Sequence, residues 1–238
     1  MFSVISIDPG TRNLAACRVT YRQPPDTGDE TCMEEFLARL HVEHADHRSI
    51  GSLHIPTAVV TFRYLVEGEW TWMVPPCAVV IEQQGNTRSP IVGLCYAFQG
   101  FFHGLHCTQA NGSHQIYVHY PAARKFRGAW VTVAPRGGHA YDLKSRETDP
   151  VKKAAVEAME RILTHMHVSD EVVAQVVKGG QHTCDALLQA VAYVCERLEK
   201  RALPVRDALP EKRTELMLKQ PREGRKRVRR SSAVVKST

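Results

Sequence analysis

The chain has 238 residues, 43% of them apolar and 24% charged, with a formal charge of +6. That is enough apolar material for one large domain with a real core, which excludes a disordered chain, and no apolar run approaches the roughly 18 residues needed to span a bilayer. The charge is uneven: residues 201–238 carry 12 Lys and Arg against 4 Asp and Glu, leaving 19 against 21 for residues 1–200.

Residues 4–7 (VISI) read as a buried strand, and Pro9-Gly10 as a tight turn into a second strand over 14–21, leaving Asp8 at the bend of a hairpin. The apolar start is broken at Asp8 and has neither a basic leading segment nor a cleavage site, so it reads as a strand rather than a signal peptide. Residues 23–31 are a polar loop, and 33–42 fit a strand or a short helix equally well. A helix is expected over 57–70 after Pro56, then a strand over 78–82 (AVVIE) and a polar loop over 83–89. Pro90 suits the first position of a helix running to about residue 106. Its apolar residues cover more than one face, which suits either the core or a dimer interface. A strand follows over 115–119. Residues 121–130 carry Arg124, Lys125 and Arg127, and 134–150 have the look of a mobile basic loop. Helices are expected over 151–167 and 181–198. Beyond Pro204 the composition shifts to a basic tail containing GRKRVRRSS, and there are no internal repeats. This order predicts a mixed α/β domain over 1–200 with helices on both sheet faces, followed by a disordered tail over 201–238.

Asp8 and Glu82 each end a short apolar, β-branched run, which places a carboxylate at the carboxyl edge of a buried strand. His182 and Asp185 are three apart on a helical pattern and share a face. Clustered buried acids are costly unless a cation neutralises them, so the four residues point to a Mg²⁺ site for phosphodiester chemistry. Seven cysteines, an odd number without a CxxC, suit buried thiols in a reducing compartment rather than disulfides or zinc. The expectation is a soluble intracellular protein.

IDPGTRN, VVIEQQ and the final HTCDALLQA together resemble the RuvC-type Holliday junction resolvases of the ribonuclease H-like superfamily. EQQGNTRSP, the aromatic helix after it and DPVKKAAVEAM are most similar to the branch found in poxviruses and related large DNA viruses of eukaryotes. The resemblance covers about residues 2–198. It implies a ribonuclease H-like mixed sheet, with Asp8, Glu82, His182 and Asp185 as catalytic and metal-holding residues. Two Mg²⁺ ions are implied per site, with Mn²⁺ able to substitute. His182 stands where many members carry a carboxylate, so the set has three negative charges rather than four; neutral imidazole still ligates a metal. The loop after Glu82 lacks the aromatic that bacterial members place there, and Arg88 is the phosphate contact expected instead.

The resemblance further implies a homodimer that nicks four-way DNA junctions symmetrically, leaving 5′-phosphate and 3′-hydroxyl ends. Arg124, Lys125, Arg127, Lys152 and Lys153 are candidate DNA contacts, against a solvated helix face as the plain alternative for each. The basic tail would track phosphates or direct nuclear import. Three rivals stand: another nuclease of the same fold acting on flaps, forks or RNA–DNA hybrids; an actin-like phosphotransferase using Asp8-Pro9-Gly10-Thr11; and a non-catalytic DNA-binding module with structural carboxylates.

Overall fold

A computed structural model describes residues 1–10, 12–23, 32–50, 55–73, 78–83, 90–108, 115–116, 120–121, 133–143 and 150–199. β1 (Phe2–Pro9) and β2 (Asn13–Tyr21) form the expected hairpin. The chain reverses after Gly10, whose N–H donates to the Asn13 carbonyl at 2.8 Å. A Cβ at Gly10 would lie 2.5 Å from that same oxygen, so the turn requires glycine. Asp8 is not at the bend: it remains in the ladder, opposite Ala15.

The stretch that suits helix or strand contains both, α1 (Met33–Leu37) and then β3 (Leu40–Ser49). α2 (Ile55–Glu67) closes where the Gly68 N–H meets the Tyr64 carbonyl, and β4 (Ala78–Gln83) and α3 (Pro90–Thr108) follow as expected. Within 115–119, β5 (Gln115–Ile116) is a strand; β6 (Tyr120–Pro121) comes after it, and 117–119 lie outside the described residues.

α4 (Pro150–Ile162) stops short of the expected residue 167. The chain turns there, enters β7 (His167–Val168), and forms α5 (Asp170–Gly179), a helix the sequence reading missed. Ser169 caps it, its Oγ accepting the Val172 N–H at 3.3 Å. α6 (Gln181–Tyr193) runs on into a π turn over Val194–Leu198.

The basic segment before α4 is not loose over 133–143. The Arg136 N–H donates to Thr164 Oγ1 at 2.8 Å, the His165 Nε2–H to the Ala134 carbonyl at 2.7 Å, and the Leu143 N–H to Glu160 Oε1 at 3.0 Å. Val133 and Leu143 are buried, so the segment is pinned along α4. Residues 144–149 and the tail, 201–238, lie outside the described residues, as do Arg88, Arg124, Lys125 and Arg127.

The strands form one sheet in the order β5-β4-β1-β2-β3-β7, with β6 also beside β4. β2 is antiparallel to both neighbours, and the other pairs are parallel. The result is the expected mixed sheet with helices on both faces. Strand alternation divides the core in two: Ile5, Ile7, Ala16, Val79 and Ile81 pack under α2 and α3, whereas Val4, Ala15, Cys17, Ala78 and Val80 pack under α4, α5 and α6. On the first side Phe62 of α2 meets Phe98 of α3 at a ring separation of 4.1 Å. α3 buries Leu94, Cys95, Phe98 and Phe102 there and leaves Tyr96 exposed. On the second side α6 is buried from Thr183 to Tyr193, which makes it the central helix of the domain. Among the described residues no helix is long and apolar enough to cross a membrane.

Candidate active site

The alternation that sends Ile5 and Ile7 toward α2 and α3 turns Ser6 and Asp8 toward α6. On β4 the same parity puts Glu82 on the face of Ala78 and Val80, beneath α6. β1 and β4 pair in parallel from Val4↔Ala78 to Ile7↔Ile81, and one further step of that register sets Asp8 beside Glu82. The strands there are about 4.8 Å apart.

On α6, His182, Asp185 and Gln189 are spaced three and four residues apart and form one stripe. Both ends of the stripe are tied to β1. The Ser6 hydroxyl donates to Gln189 Oε1 at 2.8 Å, and the His182 Nδ1–H donates to Asp8 Oδ2 at 3.2 Å. Asp185, only 4% exposed, lies between these two ties along the stripe. Helix α6 thus runs antiparallel to β1, with its first turn over the carboxyl edge of the sheet.

The four residues singled out in the sequence are therefore gathered at one sheet edge. Asp8 is nine-tenths buried, and Glu82 is half-buried. Their charges reach Cys95, whose thiol donates to the Glu82 carbonyl at 3.5 Å. Burial first, then the Glu82 and Asp8 carboxylates, push that thiol up to about 12. Cys184 is likewise pushed well up, by burial and then by Asp185. Three carboxylates on one surface repel one another, and hard oxygen donors of this kind suit a Mg²⁺-like cation. Among the described residues no group of three or more His, Cys, Asp or Glu is already drawn together at ligand spacing. The Asp8–His182 hydrogen bond occupies part of the donor set instead.

Two further residues belong to this edge and escaped the sequence reading. Asn13, the first residue of β2, places its Nδ2 3.3 Å from His182 Nε2. His47 of β3 stacks on the His182 ring, with centroids 5.3 Å apart and planes 8° from parallel. Burial, and next the His182 ring, hold His47 below the ordinary histidine value, which favours a neutral ring in the stack. Asn13 closes the IDPGTRN motif without a role of its own being read there, and His47 stands in no motif; the sheet register brings both here.

Lys152 and Lys153 occupy the first turn of α4, where Lys153 Nζ pairs with Glu157 Oε1 at 3.7 Å on an exposed face. A cleft of about 430 Å³ that includes Thr20, Arg22, Arg39 and His41 lies at the opposite end of the sheet, beyond Ser3 and Tyr21, and among the described residues no carboxylate lines it.

No protein-family model matches the sequence, and no curated protein does. Solved structures do match. The chain is similar to the fowlpox virus resolvase in complex with substrate Holliday junction DNA, at 13% identity and a TM-score of 0.48, over 81% of this chain and 96% of that one. The fowlpox virus Holliday junction resolvase in a second crystal structure gives 12% identity and 0.47, over 81% and 97%. Thermus thermophilus RuvC gives 18% identity and 0.46, over 86% and 100%. The chain is similar in fold to RuvC-type resolvases.

Proposed function

We propose that this protein is a metal-dependent, structure-specific endonuclease that resolves four-way DNA junctions by paired nicks, leaving 5′-phosphate and 3′-hydroxyl ends. The observation that carries the reading is the convergence of Asp8, Glu82, Asp185 and His182 at one carboxyl edge of a ribonuclease H-like sheet. Asp8 and Glu82 come from adjacent parallel strands and Asp185 from a helix tied to the first of them, so the three carboxylates are held by rigid elements rather than loops.

Asp8, Glu82, Asp185 and His182 would hold divalent cations, Mg²⁺ with Mn²⁺ as substitute, two per site. When bound, such ions generate a nucleophilic hydroxide near neutral pH and neutralise charge on the leaving oxygen. The chain's own part is to orient. His182 keeps the Asp8 carboxylate from turning away, Ser6 and Gln189 lock α6 to β1 in register, and Asp185 is held buried on the stripe between these ties. A homodimer fits the chemistry because a junction offers two equivalent strands, one to each subunit. Arg88, Arg124, Lys125, Arg127, Lys152, Lys153 and the tail are the cationic groups available for phosphate contact, and the tail is also the one feature pointing to a nuclear or viral replication site.

The test is a panel of labelled substrates incubated with the full chain and Mg²⁺ or Mn²⁺: four-way junction, duplex, flap and RNA–DNA hybrid. Junction-selective, metal-dependent nicking supports the reading. Cutting of flap or hybrid alone would move the protein to another nuclease of this fold, and metal-independent junction binding without cutting would make it a binding module.

A further inference from the structure

The far end of the sheet carries a second polar surface, on the face turned away from the carboxylates. Ser3 shares the parity of Ile5 and Ile7, and Thr20 that of Ala16, so both point to the α2 and α3 side, whereas Asp8 and Glu82 face α6. Side chains directly opposite one another across a ladder lie on one face. The register carries that row over four strands: Ser3 pairs with Thr20, Thr20 with His41, and His41 with His167. Next to this row the Arg22 N–H donates to the Arg39 carbonyl at 3.1 Å, which sets those two residues side by side. Thr20, Arg22, Arg39, His41 and His167 line the cleft of about 430 Å³.

The lining is basic and rich in donors. Arg39 is anchored, its Nη1 donating to Glu199 Oε1 at 3.1 Å with both side chains largely buried. Arg22 is exposed, and among the described residues no carboxylate pairs with it. One carboxylate against two guanidiniums leaves the cleft positive whatever the charge of His41 and His167, and a neutral imidazole still offers one N–H. Thr20 adds a group that lacks an acceptor. It is 5% exposed, and among the described residues its Oγ1 is buried without a hydrogen-bond partner, as is the Ser3 Oγ beside it. Buried hydroxyls are nearly always paired, because leaving one unpaired is costly. An anion oxygen entering the cleft at Thr20 gives that hydroxyl an acceptor, and guanidiniums present donors in a fork that matches phosphate.

We propose that this cleft is a phosphate-binding site separate from the carboxylate site, taking the phosphate of a mononucleotide-sized molecule or the free anion. Arg22 and Arg39 hold the phosphate oxygens, the Thr20 hydroxyl donates to one of them, and His41 and His167 donate from the exposed rim. The volume lies within the roughly 300–1,000 Å³ of small-molecule sites. Ser3 and Asp8 are five residues apart on β1, about 17 Å of strand, and face opposite sides of the sheet, so a DNA strand held for cutting at Asp8 does not pass through this cleft. The lining comes from β2, β3 and β7, so a bound anion ties three strands together and stabilises the fold by mass action.

The test is calorimetric titration and thermal unfolding of the full chain, with a chelator present and ionic strength held constant in chloride. Inorganic phosphate and adenosine 5′-monophosphate are the two probes, adenosine is the uncharged control, and duplex DNA is a further titrant. Both probes should bind wild type and raise its Tm, and adenosine should do neither. Arg22→Gln should weaken both probes about 10- to 100-fold and Thr20→Val about 3- to 10-fold. Arg63→Gln, the same charge change on the exposed face of α2, should leave both within about twofold. Thr20→Val loses an unpaired hydroxyl, so without phosphate it should unfold no earlier than wild type, and with phosphate it should gain less, which separates a lost contact from a damaged fold. Tighter binding of the nucleotide than of phosphate assigns the site to a nucleotide, and equal affinity assigns it to the free anion. No binding of either probe by wild type, binding unmoved by Arg22→Gln and Thr20→Val, or equal weakening by Arg63→Gln overturns the proposal. Adenosine binding as tightly as its monophosphate overturns it too, as does an Arg22→Gln effect on duplex DNA alone, which would make the cleft a DNA contact.

Discussion

Removing the Ser6 hydroxyl isolates the tie that holds α6 to the first strand. Ser6 is fully buried and Gln189 is 1% exposed, and the Ser6 hydroxyl is bonded to Gln189 Oε1 at 2.8 Å. The Gln189 Nε2 is already a buried donor without a partner. Ser6→Ala therefore removes one hydrogen bond, of net value about 1 kcal/mol, and leaves the amide oxygen buried and unpaired at a further cost of about 1–3 kcal/mol. A loss of about 2–4 kcal/mol is expected, or a fall in Tm of roughly 4–16 °C for a domain of this size. Ser6→Ala combined with Gln189→Leu removes the stranded amide altogether and should recover most of the loss. Urea unfolding of the four proteins of this cycle measures the coupling. A Ser6→Ala variant within about 0.5 kcal/mol of wild type, or a double variant worse than the sum of the singles, would refute the argument that this bond clamps α6 to β1.

Three further outcomes follow from the same geometry. Burial holds the Glu160 carboxyl above its usual value, opposed by the Leu143 N–H. The folded state thus favours the proton, and the stabilisation present below the unfolded value of about 4.3 is lost as pH rises through the raised one. Glu160→Gln should raise Tm at pH 7 by an amount worth about 1 kcal/mol or less, since the group is part-exposed, and the gain should vanish near pH 4; an equal gain at both pH values would contradict this. Gly179→Ala should cost about 1–3 kcal/mol through collision with Thr183 and His47, read by urea unfolding, with a wild-type midpoint as the contrary result. Thiol labelling of the native protein at pH 8 should lose one fast-reacting group in Cys32→Ser, which is exposed, and none in Cys95→Ser or Cys184→Ser, whose thiols are buried and hard to ionise.

What the sequence makes legible are features carried by short-range pattern. The β-branched runs before Asp8 and Glu82 read as central strands because both their faces are buried, and the apolar residues of α6 read as a helix at the core. The acids at their ends stand out against that apolar background. β3 is less visible: LHVEHADHRS is polar because much of its length is half-buried, and it is held as a strand by the ladder to β2. His47 lies within it, so its place beside His182 is a product of register and of the close approach at Gly179. α5 did carry a local signal, Ser169 followed by Asp170 and Glu171 and then Val172 and Val176 on one face. Extending the preceding helix through residue 167 obscured it. Asn13 reads as a turn residue, and only the arrival of α6, 169 residues later in the chain, gives its amide a partner.

The central claim is that Asp8 anchors a metal-dependent site that cuts branched DNA. The most direct measurement compares wild type with Asp8→Asn on a labelled four-way junction in Mg²⁺, following binding and cleavage in parallel and treating the products with ligase. The account predicts paired, symmetric, ligatable nicks in wild type, and undiminished binding with cleavage lost by at least about 100-fold in the variant. Equal cleavage by Asp8→Asn and wild type, or no metal-dependent cleavage by wild type, would contradict it.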